Sequence, residues 1–103
     1  MSLPARDHKI SLDAAAKLTR RHRDGAGPDP KKAGAFHADQ VRQLLDQPGC
    51  VALRIYFARQ ENGDPATVLV GMDAKDQEMT GGILLEACFL CPPFCTSDSA
   101  LNG

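Results

Sequence analysis

The stretch that decides the fold is residues 50–73, which read CVALRIYFARQENGDPATVLVGMD. Successive side chains of a β-strand point to opposite sides, so apolar residues spaced two apart share one side. In the first half of the stretch these residues are Val51, Leu53, Ile55 and Phe57. In the second half they are Val68, Val70 and Met72. The alternation predicts two strands, each with one apolar side.

The polar segment between the two strands predicts a β-hairpin. Directly opposed residues share a face, so the two apolar sides coincide only in one kind of register. We therefore expect the pairs Leu53–Met72, Ile55–Val70 and Phe57–Val68. This register leaves residues 61–64 (ENGD) as the loop, in which Asn-Gly supplies the positive φ that hairpin turns require.

Residues 83–90 (ILLEACFL) form a third alternating run, which we expect to pair antiparallel with residues 66–73. Neither side of this run is cleanly polar, so the reverse face of the sheet is half apolar, whereas a face in water is normally more polar. We expect the chain's tails or another subunit to cover it. The interface candidates are Ala52, Arg54, Tyr56, Leu69, Leu84, Glu86 and Leu90.

Two helices precede the strands. Ser11 is a good N-cap for a helix that runs to about Arg23, and a second helix is predicted over residues 37–47, where Pro48-Gly49 stops it. Residues 24–35 form a flexible loop rich in Gly and Pro, and residues 1–10 and 96–103 are tails. Helices followed by strands indicate a single α+β domain over residues 1–103, with two N-terminal helices packed on a three-stranded antiparallel meander.

Composition argues against several classes of function. The chain has 103 residues, a net charge of −1, 5% aromatic residues and no Trp, which is not typical of nucleic-acid binding. No apolar run approaches the roughly 20 residues that span a bilayer, so no membrane association is expected. The N-terminus lacks the apolar segment of a signal peptide, which favours a cytoplasmic location or export by another route.

No catalytic motif is visible. The sequence has no phosphate-binding Gly loop, no H-E-x-x-H and no G-x-S-x-G, so we expect no catalytic residues and favour a protein that is not an enzyme. Arg54, Tyr56 and Glu86 are the polar residues predicted for the reverse face. Two interpretations remain open for them: a binding cluster, or an Arg54–Glu86 ion pair beside an amphipathic tyrosine.

Cys88, Cys91 and Cys95 form a C-x2-C-x3-C run, and Cys50 lies far away in sequence. Three interpretations remain open: packed thiols in a proline-rich corner, a Cys91–Cys95 disulfide, or a zinc site. In an extended strand Cys88 lies roughly 10 Å from Cys91, too far for a disulfide. A zinc site with Cys91 and Cys95 would need a histidine from elsewhere, for which the candidates are His8, His22 and His37.

The motifs QPGCV (47–51), RIY (54–56), VLVG (68–71), CPPFC (91–95) and LN (101–102) resemble those of a set of small uncharacterised bacterial proteins. The resemblance implies a bacterial origin and a shared fold, and no activity. The sequence as a whole predicts a non-enzymatic module that associates with itself or with a protein partner through the reverse face and the exposed sheet edge. The alternative is a cysteine-based metal-binding or redox protein.

Overall fold

The structure is a computed structural model, and it describes residues 3–28 and 30–102. The remaining residues of the predicted tails and loop (1, 2, 29 and 103) lie outside these ranges. The elements in chain order are α1 (Leu12–Gly25), β1 (Ala33–Ala35), α2 (Ala38–Leu45), β2 (Ala52–Arg59), β3 (Pro65–Met72), β4 (Leu84–Leu85) and β5 (Phe89–Cys91). The predicted α+β class is confirmed.

The chain divides into two compact units. The hairpin unit consists of Met1–Pro4 and Ala35–Cys88, and it contains α2 and the three-stranded sheet β2-β3-β4. The disulfide unit consists of Ala5–Gly34 and Phe89–Gly103, and it contains α1, β5 and most of β1. The predicted packing of both helices on the three-stranded sheet stays a prediction for α1, as does the single domain.

The hairpin forms as expected, but its register differs from the predicted one by a single residue. Ile55 lies opposite Leu69, whereas the sequence predicted Val70. The turn is the reason. The amide of Gln60 donates to the carbonyl of Asp64 at 2.8 Å, and Gly63, at φ 92°, donates to the carbonyl of Gln60 at 3.0 Å. The loop therefore has three residues, 61–63, instead of four, and loop length sets the register.

This register gives the sheet two mixed faces. The Leu53 face carries Leu53, Ile55, Phe57, Thr67, Leu69 and Gly71. The Arg54 face carries Ala52, Arg54, Tyr56, Val68, Val70 and Met72. The central strand β3 is buried on both faces, with Leu69 at 4%, Val70 at 2% and Met72 at 1% exposure. The core of the hairpin unit is therefore centred on β3.

The predicted third strand is split. Only Leu84–Leu85 pairs with β3, with Leu84 opposite Val70. Ala87 then adopts a left-handed backbone (φ 62°), which interrupts the extended run. The next extended residues, Phe89–Cys91, form β5 and pair with β1 in a separate two-stranded sheet. The prediction of one strand over residues 83–90 was wrong because the period-2 pattern continues across this change of direction.

α2 packs against β3 and β4 and ends before Pro48-Gly49, as predicted. Its Leu44 is fully buried. Gln47 connects the end of the helix to the start of β4. Its Nε2 donates to the carbonyl of Leu44 at 2.7 Å, and its Oε1 accepts from the amide of Ile83 at 2.8 Å.

In the disulfide unit, α1 begins as predicted, because Ser11 Oγ accepts from the amide of Ala14 at 3.1 Å. Cationic side chains hold the C-terminal segment by its carbonyls. Arg23 Nη1 donates to Leu101 O at 2.7 Å, and Lys32 Nζ donates to Asn102 O at 3.1 Å. The basic residues near the end of α1 and in the following loop thus have a structural role within this unit.

Candidate functional site

The outer side of β2 is an open sheet edge. In the sheet order β2-β3-β4, no strand among residues 3–28 and 30–102 pairs with the other side of β2. Because the amide of Gln60 bonds to Asp64, the even-numbered residues of β2 direct their backbone groups toward β3. Leu53, Ile55 and Phe57 therefore direct their N–H and C=O groups outward, away from β3.

The same edge carries exposed apolar side chains. Phe57 is 93% exposed and Ile55 is 50% exposed, both on the Leu53 face. β2 has no proline or glycine to interrupt pairing, and its charged residues are Arg54 and Arg59. An exposed apolar edge strand with unpaired backbone groups is a template for the addition of another strand.

The Arg54 face carries a polar cluster of Arg54, Tyr56 and Glu78. The Tyr56 hydroxyl donates to Glu78 Oε2, and Arg54 Nη1 donates to the same oxygen at 3.0 Å. These donors, Tyr56 first and Arg54 second, hold the pKa of Glu78 below its usual value. Glu78 and Tyr56 in turn raise the pKa of Arg54. The cluster is a closed set of partners that fixes the connection after β3 against β2.

The partner of Arg54 is Glu78 and not Glu86, so the predicted Arg54–Glu86 pair was wrong. Glu86 instead accepts from Gln60 Nε2 at 3.3 Å. A tight turn explains why Glu78 reaches the site: Asp73 Oδ1 accepts from the amide of Gln77 at 3.0 Å and reverses the chain, so that Glu78 bridges to Met72. The signal in the sequence is Asp73 followed by polar residues, which is typical of a side-chain-capped turn.

The structure brings together four of the seven predicted interface residues. Ala52, Arg54 and Tyr56 share the Arg54 face, and Leu84 joins them opposite Val70. Leu69 lies on the Leu53 face and not on the predicted reverse face, because the register is shifted by one residue. Its side chain is buried within the chain.

The other two predicted interface residues lie outside the strands of the three-stranded sheet. Glu86 follows β4, and Leu90 lies in β5, within the disulfide unit. The interruption of the extended run at Ala87 accounts for the position of Leu90.

Among the three interpretations of the cysteines, the structure contains the disulfide. Cys91 and Cys95 are bonded, with their Cα atoms 4.7 Å apart, while Cys50 and Cys88 are free and half-buried. Cys91 is only 5% exposed, whereas Cys95 is exposed. Within the described ranges, no group of three or more His, Cys, Asp or Glu residues is arranged to hold a metal ion.

No helix in the described part of the chain is long and apolar enough to cross a membrane. No family model, curated protein or solved structure matches the chain. The resemblance to small bacterial proteins and the bacterial origin that it implies therefore stay predictions.

Proposed function

We propose that the protein is a non-enzymatic α+β module that associates with a second copy of itself through the open edge of β2. The observation that carries the proposal is the exposure of Phe57 and Ile55 beside outward-pointing backbone groups. Added hydrogen bonds and buried apolar side chains would both favour strand addition at this edge.

A second copy fits this edge because the pattern of β2 is self-complementary. In an antiparallel pair related by a two-fold axis at Ile55, Ile55 opposes Ile55 of the second copy. Leu53 then opposes the second copy's Phe57. In both pairs, the side chains of each copy lie on the Leu53 face of its own sheet. The Leu53 faces of the two copies are therefore continuous, and the two three-stranded sheets form one six-stranded sheet.

The charges of β2 favour this register. Arg54 directly opposes the second copy's Tyr56, so its guanidinium faces a phenol ring and not a second cation. A two-fold axis at Tyr56 would instead place Leu53 opposite Arg59 and lose an apolar pair. The Ile55-centred register opposes no like charges across the new strand pair.

Four of the predicted interface residues lie on the Arg54 face, and we expect them to extend the contact beyond the edge of β2. Tyr56 is 46% exposed and Leu84 is 53% exposed on the Arg54 face. The contact with the second copy therefore has the edge of β2 as its centre and the Arg54 face as its margin.

Multi-angle light scattering tests the proposal. The expected result is a mass that rises with concentration from the 11.1 kDa of one chain toward twice that value. Measurements should extend to about 1 mM, where even a millimolar dissociation constant is detected. A constant monomer mass over this range contradicts the proposal.

The alternative, a cysteine-based protein, rests on the disulfide. Its zinc-binding form requires Cys91 and Cys95 as thiolates, so it applies only to the reduced protein. Elemental analysis after reduction and exposure to zinc tests it, and a zinc content near zero contradicts it. The disulfide supports a location outside the cytoplasm over a cytoplasmic one.

A further inference from the structure

We propose that Cys91 and Cys95 form a thiol–disulfide exchange couple. An external thiol attacks the sulfur of Cys95, and the sulfur of Cys91 leaves. The couple lies within the disulfide unit. It is a separate activity from self-association at β2, and neither depends on the other.

The two cysteine residues differ in exposure to solvent. Cys91 ends β5 and is 5% exposed, whereas Cys95 follows a short turn and is exposed. Exchange requires a thiolate to approach one sulfur of the disulfide along the S–S bond. An incoming thiolate therefore attacks Cys95, and Cys91 is the sulfur that leaves.

Lys31 and Lys32 donate hydrogen bonds to the backbone carbonyls of Pro92 and Cys91. The backbone amide of Lys32 donates to the carbonyl of Cys91 at 2.6 Å. The ammonium group of Lys31 donates to the carbonyl of Pro92 at 3.1 Å. A cation near a cysteine stabilises its thiolate, and the ammonium group of Lys31 contacts the residue that follows Cys91, so we expect Lys31 to favour the release of the Cys91 thiolate.

Backbone hydrogen bonds hold the loop between the two cysteines in addition to the disulfide. The amide of Phe94 donates to the carbonyl of Leu90 at 2.9 Å, and the amide of Cys95 donates to the carbonyl of Pro93 at 3.0 Å. We expect these bonds, together with the two lysine contacts, to keep the reduced cysteines close to each other. The disulfide can therefore form again without refolding of the unit.

Phe94 adds an apolar surface beside the accessible sulfur. It is 62% exposed and packs edge-on against Phe89, with the ring centroids 5.1 Å apart. An exposed aromatic pair beside a reactive disulfide suits a partner whose own thiols lie in an apolar surface.

The co-reactant is a dithiol. Its first thiolate attacks Cys95 Sγ, the S–S bond breaks, and Cys91 leaves as a thiolate and takes up a proton. The second thiolate of the reagent then attacks the mixed disulfide, and Cys95 is released and protonated. The protein gains two electrons and two protons, and the dithiol becomes a disulfide. A disulfide partner reverses these steps.

The test compares Cys91→Ser with Cys95→Ser, using oxidised glutathione as the probe and peptide mass mapping as the readout. We expect Cys95, the thiol left in Cys91→Ser, to form the mixed disulfide at least about tenfold faster than Cys91 does in Cys95→Ser, because reactivity follows access. Cys50 and Cys88 are internal references in both variants. Equal rates at the two positions overturn the proposal.

The wild-type protein gives a second, independent readout. Dithiothreitol should reduce the Cys91–Cys95 bond in the folded protein, and oxidised glutathione should restore it, with unchanged circular dichroism throughout. Reduction only under denaturing conditions overturns the proposal, since the bond would then be purely structural.

Lys31→Met tests the stabilisation of the leaving thiolate, and Lys17→Met, an exposed lysine on α1, is the matched control. A tenfold loss of thiolate stability slows exchange roughly threefold at a Brønsted slope near 0.5. We expect such slowing in Lys31→Met and none in Lys17→Met. The same rate in both variants contradicts the part assigned to Lys31.

Discussion

Ile55 lies directly opposite Leu69 in the hairpin, yet Ile55 is 50% exposed and Leu69 only 4%. The two side chains share one face of one sheet, so the difference lies between the strands. β3 is covered on both faces by its own chain, whereas β2 keeps an open edge. The hairpin thus has an inner strand that belongs to the core and an outer strand with an open edge.

Gly71→Ala should destabilise the hairpin unit. A Cβ at this position would lie 2.9 Å from Cys50 Sγ and 3.3 Å from Gln47 Nε2. Overpacking of this kind costs about 1–3 kcal/mol, which urea denaturation measures. Gly81→Ala is the matched control, because a Cβ there meets no atom within 4 Å.

Adding Cys50→Ala to Gly71→Ala should recover part of the loss, since it removes the nearest obstructing atom. Full stability of the single Gly71→Ala variant, or equal losses for Gly71→Ala and Gly81→Ala, would show that residues 47–50 do not pack over Gly71.

Glu78→Gln should change how stability depends on pH. The folded-state pKa of Glu78 lies below its ordinary value of 4.5, so its stabilising interactions are fully present above that value. They are lost as the pH falls through the folded-state pKa, because the folded protein must then protonate a carboxylate that accepts from Tyr56 and Arg54. Wild type should therefore exceed Glu78→Gln in stability at pH 7, and this difference should shrink as the pH falls below 4.5.

The measurement is urea unfolding at several pH values, and Glu86→Gln is the control. Glu86→Gln removes one carboxylate outside the cluster of Arg54, Tyr56 and Glu78, so it controls for the change in net charge. A profile for Glu78→Gln that runs parallel to the wild-type profile contradicts the assignment of Glu78 as the partner of Arg54 and Tyr56.

Ile55→Lys should weaken self-association, because the two-fold axis would bring two ammonium groups face to face. We expect the dissociation constant to rise at least about tenfold, equivalent to about 1.4 kcal/mol. Ile10→Lys is the matched control, since Ile10 is 60% exposed and lies in the other unit. Sedimentation equilibrium measures both, and equal dissociation constants for the two variants argue against the edge of β2.

The sequence predicted the elements whose signals are local. Ser11 marked the start of α1, Pro48-Gly49 marked the end of α2, and Gly63 supplied the positive φ of the hairpin turn. These residues act through their own backbone conformation or through hydrogen bonds to near neighbours, so no knowledge of the rest of the fold is required.

Local signals could not predict the register of the hairpin or the division of the third strand. Matching apolar sides favoured a four-residue loop, but the three-residue turn with Gly63 was adopted, and it placed apolar and polar side chains on both faces. Ala87 adopts a left-handed backbone conformation, which an alanine in a sequence does not predict. The position of Glu78 follows from both the register and the turn at Asp73, and so it could not be found from alternation alone.

A cysteine placed on the proposed two-fold axis tests self-association at the edge of β2 most directly. In the proposed pairing, the two copies of residue 55 form a hydrogen-bonded pair with Cα atoms about 5.5 Å apart, within the range of a disulfide. The two copies of residue 57 would be about 13 Å apart, at the usual rise per residue. Under mild oxidation, Ile55→Cys should therefore form a 55–55 disulfide dimer, identified by non-reducing peptide mapping, and Phe57→Cys should not form a 57–57 dimer. Equal cross-linking of the two variants, or none at residue 55, would contradict the proposed strand pairing.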